Sequence, residues 1–174
     1  QRRYDVASDL ARKAIATDPN DPLGYVTLGE ALMNLGETAE ARRHFEASIE
    51  KAKRYRDVKR DNWLEVLTVL DGFATVPSKR FVIRMHPSES EVMARYLPPL
   101  LEAAWDALSA RYGQVPVGPV RVDAFHRADD FSVRSVGTSG LPALGVCFGE
   151  VITLLGPTSR PVGSFSWART AWHE

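Results

Sequence analysis

The sequence holds a single cysteine, Cys147, among 174 residues. That excludes an internal disulfide framework and a zinc site built from cysteine alone. It also lacks an excess of either charge, with 22 Lys+Arg against 22 Asp+Glu, so no global field favours nucleic acid or an anionic membrane surface. No apolar run approaches the roughly 20 residues that a membrane-spanning helix needs. Walker A and dinucleotide-binding glycine patterns are missing. Gly137-Thr138-Ser139-Gly140 does not satisfy G-x-S-x-G, which removes Ser139 as an elbow nucleophile. No leader peptide opens the chain, and with Gln1 in place of methionine at its start no compartment is assigned; cytoplasm and periplasm both stay open. What is present, 44% hydrophobic and 25% charged residues, is the composition of a globular protein with room for one domain or two small ones.

The first third is helical in period. Tyr4 to Thr17 sets Ala7, Leu10, Ala11, Ala14 and Ile15 on one stripe. Asp18-Pro19-Asn20-Asp21-Pro22 stops that helix and restarts the chain, with Pro22 suited to a first helical position. Tyr25, Leu28, Leu32 and Leu35 mark a second helix ended by Gly36, and Thr38 to Lys53 a third, with Ala41, Phe45, Ile49 and Ala52 inward. A cationic stretch follows (Lys51, Lys53, Arg54, Arg56, Lys59 and Arg60), expected as a solvated helix end and not a nucleic-acid patch. Asn62 to Gly72 reads as a short connecting helix carrying Trp63, Val66, Leu67 and Leu70.

Tyr25, Leu28-Gly29, Ala41 and Phe45 resemble the 34-residue pattern of the tetratricopeptide repeat, and shifting back one period puts Ala7, Ala11, Ala14 and Pro19 in corresponding places. Leu32 stands where a second aromatic is usual, and Ser48 where alanine is usual. One and a half repeats cannot bury their apolar faces alone, so more repeats upstream or docking on the following residues is expected. The resemblance implies either a groove for a protein partner or a structural prop.

After Ala74 the period shortens to that of strands. Phe81, Ile83 and Met85 alternate with Val82, Arg84 and His86. Ser88 with Glu91 has the spacing of a capping box for a long helix through Val92, Tyr96, Leu100, Ala104 and Leu108, which Pro98-Pro99 is expected to break or kink. Val115 to Phe125 reads as a strand, Ala128 to Val136 as a short helix, and Ala143 to Gly149 with Val151 to Leu155 as two strands of a hairpin around Gly149-Glu150. Cys147 is expected to be a small buried hydrophobe, and His44, His86 and His126 structural or solvent-facing.

The last residues, Ser164 to Glu174, form a candidate helix capped by Ser164 or Ser166, with Trp167, Ala168, Ala171 and Trp172 at helical spacing. His173-Glu174 are the first two letters of H-E-x-x-H. In that motif two imidazoles one turn apart hold a zinc ion and the glutamate acts as base. The sequence stops inside the motif, so both ends read as cut. Strand, long helix, strand, short helix, hairpin and a helix with His-Glu, in that order, resemble the N-terminal subdomain of gluzincin metallopeptidases. The likeness is closest to the peptidase MA-like domains that follow tetratricopeptide repeats in bacterial proteins. Phe81-Val82-Ile83-Arg84, Gly145 to Gly149 with Val151-Ile152, Gly156-Pro157 and Trp167 to Glu174 carry the likeness.

The resemblance implies an α+β fold: tetratricopeptide-like helical hairpins at residues 1–56, a linker and connecting helix at 57–79, and an incomplete metallopeptidase subdomain at 80–174 with a small mixed sheet. It implies a Zn2+ cofactor with His173 as ligand and Glu174 as catalytic base. An edge strand, Val151, Ile152, Thr153, Leu154 and Leu155, would bind a peptide or protein substrate through its backbone. The parent would then be a peptide-bond hydrolase, while these residues alone, lacking the second histidine and a downstream glutamate ligand, would be inactive. The alternative is a non-catalytic tetratricopeptide adaptor with protein partners. Neither reading involves nucleic acid or a membrane segment in these residues.

Overall fold

The computed structural model describes residues 3–148 and 150–174. Four helices come first: α1 (Tyr4–Thr17), α2 (Pro22–Leu35), α3 (Thr38–Lys51) and α4 (Val58–Asp71). Their ends follow local chemistry. The Asp21 carboxylate accepts the Leu23 N–H at 3.0 Å, and Pro22 takes the first helical position where no N–H is missed. Gly36, at φ 78°, reverses the chain after α2 in the left-handed region that other residues avoid.

Small residues let the helices approach. A β-carbon at position 29 would overlap the Phe45 ring, so glycine is what allows α2 to close on α3. Ala41, Phe45 and Ser48 are fully buried there, and the Phe45 ring stacks on Trp63 of α4 with centroids 5.5 Å apart. Serine at position 48 has a partner: its hydroxyl accepts a long 3.5 Å hydrogen bond from Arg60, a side chain only 3% exposed. Arg60 also grips Asp61, with Nη2 2.6 Å from Oδ1. The expectation of a fully solvated cationic stretch therefore fails at Arg60, because α4 lays its first turn against α3.

The remaining elements are β1 (Ala74–Pro77), β2 (Phe81–Met85), α5 (Ser90–Tyr112), β3 (Val120–Phe125), α6 (Ala128–Val136), β4 (Gly145–Phe148), β5 (Val151–Leu155) and α7 (Trp167–His173). The fold is α+β, helical hairpins followed by one mixed sheet of order β1-β2-β3-β5-β4. Strands β2, β3 and β5 run parallel, while β1 and β4 flank them antiparallel. Gly149, in the β4–β5 turn expected from sequence, lies outside the described residues.

Strand alternation divides the core. Ile83, Met85, Val122, Ala124, Ile152 and Leu154 pack with Met93, Leu97 and Leu101 of α5 and Ala171 of α7. Phe125 and Leu155 join Phe131 of α6, Trp63, Val66 and Leu67 of α4, and Leu28 and Phe45 of the first hairpins in a second, continuous cluster. Burial against the sheet thus supplies what one and a half repeats could not bury by themselves. The Gly36 turn seats on the sheet, where Arg121 reaches Glu37 at 3.3 Å.

Two local expectations are corrected. Helix α5 runs unbroken for 23 residues through Pro98 and Pro99. Interior prolines cost about 3 kcal/mol each, but Met93, Leu97, Leu101 and Ala104 stay buried on one stripe. The carbonyls freed at Ala94 and Arg95 belong to a stretch whose neighbours Arg95, Tyr96 and Pro99 are exposed, where water can serve them. Ser88 does not cap α5. A 3-10 turn, Pro87–Glu89, intervenes, and its cap is the His86 ring, which accepts the Ser88 N–H.

Candidate functional site

The His173-Glu174 pair stands at the end of α7, which Ser166 starts by accepting the Arg169 N–H at 3.2 Å. Ala171 anchors the helix in the core. His173 is exposed and Glu174 half-buried. Glu174 lies against β4: a β-carbon at Gly145 would sit 2.8 Å from its Cγ and equally close to Thr170. The Glu174 carboxyl is pushed above the usual carboxylate range chiefly by burial, against the charge of His173 and a hydrogen bond from the Cys147 N–H. Glu174 lines two grooves. One of about 450 Å³ runs along Leu144, Gly145, Ser166, Thr170 and His173. The other, about 370 Å³ and apolar, lies over Phe81, Leu101, Trp105 and Ile152.

The strand expected to present a free edge does not. Val151, Ile152, Thr153, Leu154 and Leu155 form β5, buried throughout and paired on both sides, parallel to β3 and antiparallel to β4. A run such as Val-Ile-Thr-Leu-Leu, apolar but for Thr153, whose hydroxyl meets that of Ser135 at 2.8 Å, suits an interior position with both faces covered. The edge is β4. In its ladder Leu144 bonds across to Leu155, so alternation turns the backbone of Gly145 and Cys147 outward, toward α7. Cys147 is exposed on this edge and not the buried hydrophobe expected. The signal available in sequence was its place in a glycine-bearing, weakly apolar segment, more typical of an edge than β5 is.

Two polar clusters escaped the sequence reading. Asp123 of β3, wholly buried, accepts from Arg84 Nε at 2.7 Å and Nη2 at 2.9 Å, and from Arg134 Nε at 2.9 Å. Burial alone raises its pKa, but the Arg134 and Arg84 guanidiniums override that and hold the carboxyl below its ordinary value. Arg84 also approaches Thr38 of α3 at 3.4 Å, tying the sheet to the helical hairpins. The second cluster sits at the carboxyl ends of β2, β3 and β5. There the rings of His86 and His126 stack with centroids 3.7 Å apart, and buried Glu89 accepts from Thr158. Charged residues within largely apolar strands, Arg84 in β2 and Asp123 in β3, were the visible hint, but only strand register puts them side by side.

Among the described residues, no three His, Cys, Asp or Glu side chains come together to hold a metal ion, and no helix is long and apolar enough to cross a membrane. Compared with known families, residues 1–60 match the tetratricopeptide repeat. That repeat is a protein-interaction module, so a protein partner is the functional statement the match carries. No curated protein matches the chain, and no solved structure does.

Proposed function

We propose that residues 80–174, together with β1 (Ala74–Pro77) that completes their sheet, are the sheet-bearing part of a zinc-dependent metallopeptidase of the gluzincin type, with the tetratricopeptide-like helices as its prop or partner-docking segment. The observation that supports this most is the setting of Glu174: the end of a helix packed on a mixed sheet, half-buried, beside the outward-facing backbone of edge strand β4. A carboxylate whose pKa is raised by burial is a better proton acceptor, and in its acid form can return the proton to a leaving amine.

In an H-E-x-x-H helix the metal polarises the scissile carbonyl and activates water. His173 is the ligand offered here, and no three metal-binding side chains come together among the described residues. The reading therefore requires a second histidine one helical turn past His173 and a further carboxylate ligand, both outside these residues. Reading the gene past the codon for Glu174 tests this at once. A histidine at the motif position supports the peptidase, whereas another residue there overturns it and leaves the adaptor reading. In the whole gene product, His173→Ala should lower zinc measured by plasma mass spectrometry; unchanged zinc would remove His173 as a ligand.

A further inference from the structure

We infer that the stacked imidazoles of His86 and His126 are a proton-operated latch on the segment that leads from β5 into α7. The segment is 156–166, and it ends at Ser166, the cap of the helix that carries His173 and Glu174. Glu89 holds it near its start: Oε1 accepts the Thr158 N–H at 2.7 Å and the Thr158 hydroxyl at 2.5 Å. Gly156 packs so tightly on the Glu89 carboxylate that a β-carbon there would overlap it. Glu89 is 3% exposed, so the grip is internal and not a surface contact.

The turn that carries Glu89 depends on a neutral imidazole. His86 Nδ1 accepts the Ser88 N–H at 3.2 Å and faces the Ser88 hydroxyl at 2.6 Å, capping Pro87–Glu89. A proton on Nδ1 abolishes that acceptor. His126, just past the end of β3, closes the stack with its Nδ1 buried and without a hydrogen-bond partner among the described residues, and Phe73 meets His86 edge-on at 6.0 Å. Charge on both rings at 3.7 Å is repulsive.

The ionisable groups facing His126 act in both directions. Burial first, then His86 and Arg127, disfavour its charge; Glu89 and Asp130 favour it, and Asp130 is itself 3.9 Å from Arg127. The balance leaves His126 below the ordinary imidazole value of 6.5. At neutral pH the stack therefore holds no charge on His126. Acid adds charge to it, uncaps the turn and loosens Glu89 from Thr158.

Amide hydrogen exchange on the 174-residue chain reads this directly, at pH about 7.5 and about 5 after correction for intrinsic rates. The Thr158 amide should lose about tenfold protection in acid, while amides of β3 keep theirs. In His86→Asn, whose side-chain oxygen can still accept the Ser88 N–H but takes up no proton, the acid loss should fall below about threefold. Equal loss in wild type and variant, or no loss in wild type, overturns the latch. Should the variant not fold, NMR titration of wild type decides: the imidazole resonances and the Thr158 amide must share a midpoint, and separate midpoints overturn the proposal.

Discussion

Replacing Asp123 with alanine removes the shared acceptor of two guanidiniums, one of which has no route to water. Arg134 is 1% exposed, and its terminal nitrogens have no other partner among the described residues. Burial pushes the pKa of that guanidinium down, yet an arginine stays protonated at any working pH. The variant therefore keeps an uncompensated charge in the core. Breaking a buried pair in this way costs about 3–5 kcal/mol. In a chain of this size that corresponds to a melting temperature lower by about 6–20 °C. Urea denaturation with an unchanged m-value is the assay. The double variant Asp123→Leu with Arg134→Met should recover most of the loss, since the charge and its counterion leave together. Arg84 is 20% exposed and can turn to solvent in the variant. A single-variant cost below about 1 kcal/mol would refute the argument, because it would mean the cluster is hydrated and weakly coupled.

Three other outcomes follow from named contacts. Because the Asp123 carboxyl is held below 3.8 in the fold, its contribution is present above that value and lost as pH falls below it; Asp123→Leu with Arg134→Met should flatten the acid limb of the stability profile. Gly29→Ala drives a methyl into the Phe45 ring and should cost about 1–3 kcal/mol by thermal denaturation; a neutral result would show that α2 and α3 can part freely. Ser166→Ala removes the cap of α7 and should cost about 1 kcal/mol, with faster amide exchange at Arg169.

Helix positions, turns and the strand alternation of Phe81 to Met85 were legible in the sequence because each rests on neighbours in the chain; the buried faces were read less well, since Val92, Tyr96 and Ile49 are exposed and α5 buries Met93, Leu97 and Leu101 in place of the stripe read from Val92. The glycine stop at Gly36 was legible for the same reason, and so was a serine cap for α7, which the sequence left open between Ser164 and Ser166 and the fold gives to Ser166. What was not legible depends on pairing across the chain. Val151 to Leu155 and Gly145 to Phe148 both read as strands, but which is interior is decided by β3 lying beside β5. Pro98 and Pro99 predict a break by local rules, and tertiary burial of the stripe around them keeps the helix whole. Arg60 reads as one more surface cation until α4 folds its first turn onto Ser48. At the candidate site, the sequence presents His173 and Glu174 as a dipeptide. The Glu174 carboxyl is raised by burial, packed against Gly145 and Thr170 and opposed by the Cys147 N–H, a setting that no local pattern encodes.

The most direct measurement of the central claim is a paired one on Glu174→Gln in the whole gene product: bound zinc and the rate of peptide-bond hydrolysis. A glutamine keeps the shape of the side chain and leaves His173 untouched, so zinc should remain while turnover falls by at least about a hundredfold. Hydrolysis at the wild-type rate in that variant would contradict the role of Glu174, and a wild-type product with neither zinc nor hydrolysis would contradict the peptidase itself.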